Sequence, residues 1–82
     1  MQTYLEKRDA PKNQGLFYRM LVLPNLFGEW TLYREWGRIG QGGQVRMNWF
    51  DSKDQPVGAL IGLETAKKRR GYCARPQQRA ML

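Results

Sequence analysis

Glu29-Trp-Thr-Leu-Tyr-Arg-Glu-Trp-Gly-Arg-Ile39 is the segment on which the fold turns. Trp30, Leu32, Arg34, Trp36 and Arg38 share one parity, and Thr31, Tyr33, Glu35, Gly37 and Ile39 the other. A period of two is the signature of an extended strand with two distinct faces. Strict alternation sets Trp30 and Leu32 on the same face as two arginines, an awkward mixture for a core. Glycine inside a strand marks a bulge or a close backbone approach, so a bulge at Gly37 that re-aims Arg38 is expected.

Working outward, Pro24, Asn25 and Gly28 mark a turn before this strand. Leu16-Phe-Tyr-Arg-Met-Leu-Val-Leu23 precedes it, rich in aromatic and branched residues and free of Gly and Pro, and reads as a mostly buried strand paired antiparallel with the first. Gly40, Gly42 and Gly43 make the next turn, and Gln44–Phe50 alternates again as a third hairpin-linked strand. Tyr4–Arg8 adds a shorter strand, with Pro11, Asn13 and Gly15 in its loop.

After Asp51 the period changes. Ser52 or Asp54 is placed to cap a helix, Pro56 suits a first turn, and Val57, Leu60, Ile61 and Leu63 form an apolar stripe. Gly58 and Gly62, four apart, are expected to allow close packing of helix on sheet. Lys67, Lys68, Arg69 and Arg70 fall in the last turn, where cations oppose the helix dipole. Gly71 ends the helix and Tyr72–Ala74 returns as a short strand. The expected fold is α+β: a small antiparallel sheet of four to five strands with one helix, about 54–70, packed on it. Residues 1–74 form the domain, and 75–82 a basic, flexible tail.

The 82 residues include 14 Lys and Arg, 7 Asp and Glu, one Cys and no His. Such a chain buries only about 60–65% of its unfolded surface, so its core must draw on its large side chains. Without imidazole there is no Ser-His or Cys-His pair and no mixed Cys-His zinc site. Lone Cys73 forms no intrachain disulfide and suits a reducing compartment. The N-terminus lacks an apolar signal core and no stretch is long enough to span a membrane, so a cytoplasmic location without membrane association is expected.

Net charge is +7, unevenly spread: residues 1–64 carry eight basic and seven acidic side chains, whereas 65–82 carry six basic and none acidic. A concentrated cationic segment attracts polyanions, or else simply solubilises the chain. Gly40-Gln-Gly-Gly lacks the spacing of a phosphate loop and reads as a hairpin turn. The acids show neither metal-ligand spacing nor an acid–base pair, so neither an enzyme nor a cofactor is expected.

Chemistry concentrates in Leu32-Tyr-Arg-Glu-Trp-Gly-Arg-Ile-Gly40, where Trp36 stands between Arg34 and Arg38. An exposed indole packs on a sugar or base while guanidinium groups grip phosphate oxygens. The alternative is a core Trp36 flanked by solvated arginines, and the residues alone leave both open.

These residues resemble the WGR domains, named for the triplet that Trp36, Gly37 and Arg38 form here, found in poly(ADP-ribose) polymerases and in small bacterial proteins. Arg34 ahead of the Trp, the Ile-Gly after Arg38, the Phe17-Tyr18-Arg19 strand and Lys68-Arg-Arg-Gly-Tyr72 extend the likeness from about Tyr4 to Ala74. The resemblance implies an antiparallel sheet with one helix, and binding to duplex DNA or its ends mainly through sugar-phosphate contacts. By position, Trp36 packs on a sugar, with Gly37, Arg38 and Arg34 beside it and Asn13 as a polar contact. Lys67, Lys68, Arg69 and Arg70 join this set by their charge. The chain lacks the zinc fingers, helical regulatory domain and transferase domain of the polymerases, so activation at breaks does not carry over. DNA is expected ahead of RNA, with a protein-interaction module as the reading from another class.

Overall fold

The computed structural model describes residues 1–9 and 14–74. Strands β1 (Gln2–Asp9), β2 (Gln14–Pro24), β3 (Trp30–Arg38) and β4 (Gln44–Phe50) are followed by helix α1 (Asp54–Arg69) and a short β5 (Cys73–Ala74). They form one antiparallel sheet in the order β4-β3-β2-β1-β5. The first four strands are a meander, and α1 crosses one face of it to bring β5 back beside β1. This is the α+β architecture expected from the sequence.

Cross-strand register decides which side chains share a face, because directly opposed residues point the same way. Leu5 lies opposite Tyr18, Tyr18 opposite Trp36, Met20 opposite Arg34, Val22 opposite Leu32, and Trp30 opposite Phe50. Leu5, Tyr18, Met20, Val22 and Leu32 pack with Leu60 of α1 as the buried core, with Trp30, Trp36, Phe50, Val57, Leu63 and Tyr72 around them. Fully burying a side chain such as Leu5, Met20 or Leu60 contributes roughly 1.5–3 kcal/mol.

The strand pairing corrects one expectation. β3 pairs regularly with β2 through Trp36, Gly37 and Arg38, opposite Tyr18, Phe17 and Leu16, so there is no bulge at Gly37. The alternation is strict, and Arg34, Trp36 and Arg38 do share the face of Trp30 and Leu32. Gly37 has a different function. A Cβ there would stand 2.9 Å from Gly43 Cα, and a Cβ on Gly43 would stand 2.4 Å from the Trp36 carbonyl oxygen and 3.0 Å from the Phe17 ring. The two glycines let the loop after β3 close against its own strand. Gly40, at φ +88°, turns that loop.

Three helix details also differ. Lys53 occupies the N-cap with no side-chain hydrogen bond, so neither Ser52 nor Asp54 caps α1; Asp54 instead lies in the first turn, where a carboxylate suits the dipole. Ile61 is 48% exposed, because at 3.6 residues per turn the inward stripe runs through Pro56, Leu60, Leu63 and Lys67 rather than 61. Gly58 and Gly62 face open space with nothing within 4 Å of an added Cβ, so they mediate no helix-to-sheet approach. At the other end the N–H groups of Arg70 and Tyr72 donate to the Lys67 carbonyl and that of Gly71 to the Lys68 carbonyl, with Gly71 at φ +100°. Among the described residues no helix is long and apolar enough to cross a membrane.

Candidate functional site

The C-terminal end of α1 lies over the Trp36 end of the sheet. The Trp36 and Tyr18 rings, side by side on β3 and β2, stack with centroids 5.7 Å apart and planes 14° from parallel. Trp36 is half-buried, so it is neither a closed core residue nor a free one. Tyr72, just past the helix, meets Tyr18 edge-on at 6.4 Å. Lys67 projects from the inward stripe of α1 into this group, its Nζ 4.6 Å from the Tyr18 ring centroid and 5.6 Å from that of Tyr72. Cation–π attraction thus seats a lysine where the helix meets the sheet.

Around this aromatic floor the charged side chains among the described residues are cationic. Arg34 lies directly across from Arg46 of β4, a like-charge cross-strand pair that opposes pairing. Arg34 Nη2 donates to Asn48 Oδ1 at 3.4 Å, while its Nε is buried without a hydrogen-bond partner. Arg38, opposite Leu16, continues the same face and is exposed. Burial, then the nearby charges of Arg70 and Arg34, hold Lys67 below its ordinary pKa of 10.5. Tyr72 is pushed above its ordinary value, first by burial and then by Tyr18, with Arg70 acting against the rise. No ion pair joins Arg34, Arg38, Arg46, Lys67 or Arg70 to a described carboxylate. The strand carboxylates Glu6 and Glu35 fall on the opposite face of the sheet, by their register with Phe17 and Arg19.

The fold therefore brings together residues distant in sequence: Arg34, Trp36 and Arg38 from β3, Lys67 and Arg70 from the end of α1. It separates others. Lys68 turns to Glu64, 3.8 Å away, which also accepts a hydrogen bond from the Thr3 hydroxyl at 2.9 Å. Arg69 is exposed at the helix end. Gly37 faces away from Trp36, toward Phe17 and Gly43. Asn13 and the segment 75–82 lie outside the described residues. Arg46 and Tyr18 belong to the site although no motif contains them as ligand groups. Counting back from the Gly40–Gly43 turn pairs Arg46 with Arg34 and so is the signal that finds it.

Elsewhere, an open cleft of about 590 Å³ is lined by Gln2, Thr3, Tyr4, Arg19, Leu21, Glu64 and Ala74 at the β1 edge. It holds none of the cationic cluster. Its polar groups engage one another: Thr3 with Glu64, and Arg19 over the Tyr4 ring at 5.8 Å.

The chain is 40% identical over 73 residues to the uncharacterized protein y4dW of Sinorhizobium fredii, covering 89% of this chain and 36% of that one. The chain thus spans about a third of the length of the curated relative it matches. No solved structure matches it. The family model for the WGR domain matches residues 1–79, nearly the whole sequence. With the Trp36-Gly37-Arg38 strand, the five-stranded sheet and the single helix in place, the chain belongs to the WGR domain family.

Proposed function

We propose that this chain is a non-catalytic module that binds duplex DNA through its sugar-phosphate backbone, at the face where β3 meets the end of α1. One observation carries the reading: Arg34, Arg38, Arg46, Lys67 and Arg70 converge around the Trp36–Tyr18 stack with no described carboxylate paired to them. Like charges held this close repel, and a polyanion relieves the repulsion. Phosphate contacts position a duplex without reading its sequence, so affinity exceeds sequence preference. The half-buried indole, already backed by Tyr18, offers a rigid platform for a sugar or terminal base. Arg69, exposed at the helix end, extends the same surface, while Lys68, turned to Glu64, and Asn13, outside the described residues, enter the proposal only through charge and the family resemblance.

Fluorescence anisotropy with blunt duplex, nicked duplex, single-stranded DNA and RNA, each at several salt concentrations, tests this. Duplex DNA is expected to bind best, with a log-log salt slope of roughly −3 to −5 if three to five cations engage phosphates. Preferential binding of RNA, or no binding to any nucleic acid at low salt, would overturn it.

A further inference from the structure

The helix covers one face of the sheet, and among the described residues nothing forms a second layer on the other. On that open side the register sets three rows across β2, β3 and β4: Leu23, Thr31 and Trp49; Leu21, Tyr33 and Met47; Arg19, Glu35 and Val45. Trp49 is 60% exposed, and Leu23, Val45 and Met47 are each close to half exposed. The β2–β3 turn at the end of these rows adds Leu26 and Phe27, 97% and 85% exposed. That turn is well defined: Asn25 Oδ1 accepts from the N–H groups of Phe27 and Glu29 at 2.9 and 3.0 Å. A contiguous apolar face of this kind marks an interaction surface.

We infer that this open face is a self-association surface, on which a second copy of the chain packs sheet to sheet. Charge selects the occupant. Each copy carries a net +7, so two copies repel along most approaches. The open rows are the exception, because their charged pair, Arg19 and Glu35, is internally balanced at 3.8 Å. The pair is also self-complementary. A two-fold axis running between β2 and β3, parallel to the strands, lays β2 of each copy over β3 of the other and sets Arg19 against the partner's Glu35. Sheets stacked in this way lie about 10 Å apart with their apolar faces interdigitated. Both cationic faces then point outward, away from each other. A standard interface buries about 800 Å² per partner whereas a single apolar surface patch is typically about 300–600 Å², so the dimer is expected to be weak, in the micromolar range.

Sedimentation velocity of the full chain, from about 1 µM to about 1 mM, reads this directly. The wild type is expected to shift from monomer to dimer mass across that range. Met47→Gln with Trp49→Gln, at exposed and charge-neutral positions, is expected to stay monomeric while keeping its circular dichroism and its DNA affinity. Arg19→Glu is expected to weaken the dimer at least about tenfold, and adding Glu35→Arg to restore it. A wild type that stays monomeric at the top concentration, as it would if this face serves another protein, overturns the inference. So does a folded Met47→Gln, Trp49→Gln variant that dimerises like the wild type. Because DNA affinity is measured on the same variants, loss of the dimer is distinguishable from failure of the DNA-binding reading.

Discussion

The two faces of this sheet are built from the same strands and differ in what covers them. One carries α1, the core centred on Leu5, Met20 and Leu60, and at its end the arginines of β3 and β4 with Lys67. The other carries Trp49, Met47, Tyr33 and Leu21 with no helix over them among the described residues, and its charges are paired as Arg19–Glu35 and Arg8–Glu6. Each face thus holds an apolar region and charged residues, but only the helix side gathers a cluster of cations, Arg34, Arg38, Arg46 and Lys67, unpaired with described carboxylates. A small α+β domain has one helix to spend on two sheet faces, so the side left open is where its apolar surface must find another use.

The comparison breaks most severely at the layer that distinguishes the faces. Leu60→Ala removes the fully buried contact between α1 and the sheet and should cost about 2–5 kcal/mol in urea unfolding. A loss under about 1 kcal/mol would mean that the helix does not define that face.

Two tryptophans test whether the faces differ in function. Trp36→Ala is expected to weaken duplex binding by about 1–3 kcal/mol in a variant shown to be folded, as for a ring that stacks on nucleic acid. Trp49→Gln, on the open side, should leave that affinity within error in the same titration. Equal effects from both would place the DNA surface elsewhere.

Lys67 sharpens the electrostatic half. Lys67→Gln should reduce the log-log salt slope by about one if this ammonium meets a phosphate. Its pKa gives a further check. Because the native value lies below 10.5, the unfolded chain holds this proton more tightly. Stability at this site is therefore lowest below the depressed native pKa and rises with pH between that value and the ordinary one. A bound polyanion stabilises the charged form, so DNA should raise the Lys67 pKa, seen in the ¹³Cε titration by NMR. A value unmoved by saturating duplex would remove Lys67 from the contact.

The smallest effect belongs to the exposed turn. Phe27→Ser should change stability by no more than about 0.5 kcal/mol by thermal melting, since the Asn25 bonds and Gly28 at φ +78° shape the turn without that ring.

Much of this architecture was legible. The parity of Trp30 through Arg38, the glycines of the 40–43 turn and the change of period after Asp51 locate β3, β4 and α1 almost to the residue. The Gly37 bulge was not needed, because the helix covers the core-side arginines only in part: Arg34 is half-buried with its Nε enclosed, and Arg38 is exposed. The helix cap was misplaced because Ser52 and Asp54 both have capping chemistry, and only the backbone path chooses Lys53. In β4 the more apolar parity, Val45, Met47 and Trp49, is the open one. Hydrophobicity alone does not report which face receives the single helix.

Local alternation, turn chemistry and the Trp36-Gly37-Arg38 motif are properties of neighbouring residues, and the sequence determined them by itself: the strand meander, the helix that follows it, the family and the charge excess. Tertiary structure decided what depends on register across strands and on the path of α1 over the sheet. It set Arg46 against Arg34, laid Lys67 on Tyr18, turned Lys68 to Glu64, and left Trp49 uncovered. The physical reason is that side-chain period states only that a strand has two faces, whereas the pairing and the single covering helix determine what each face meets.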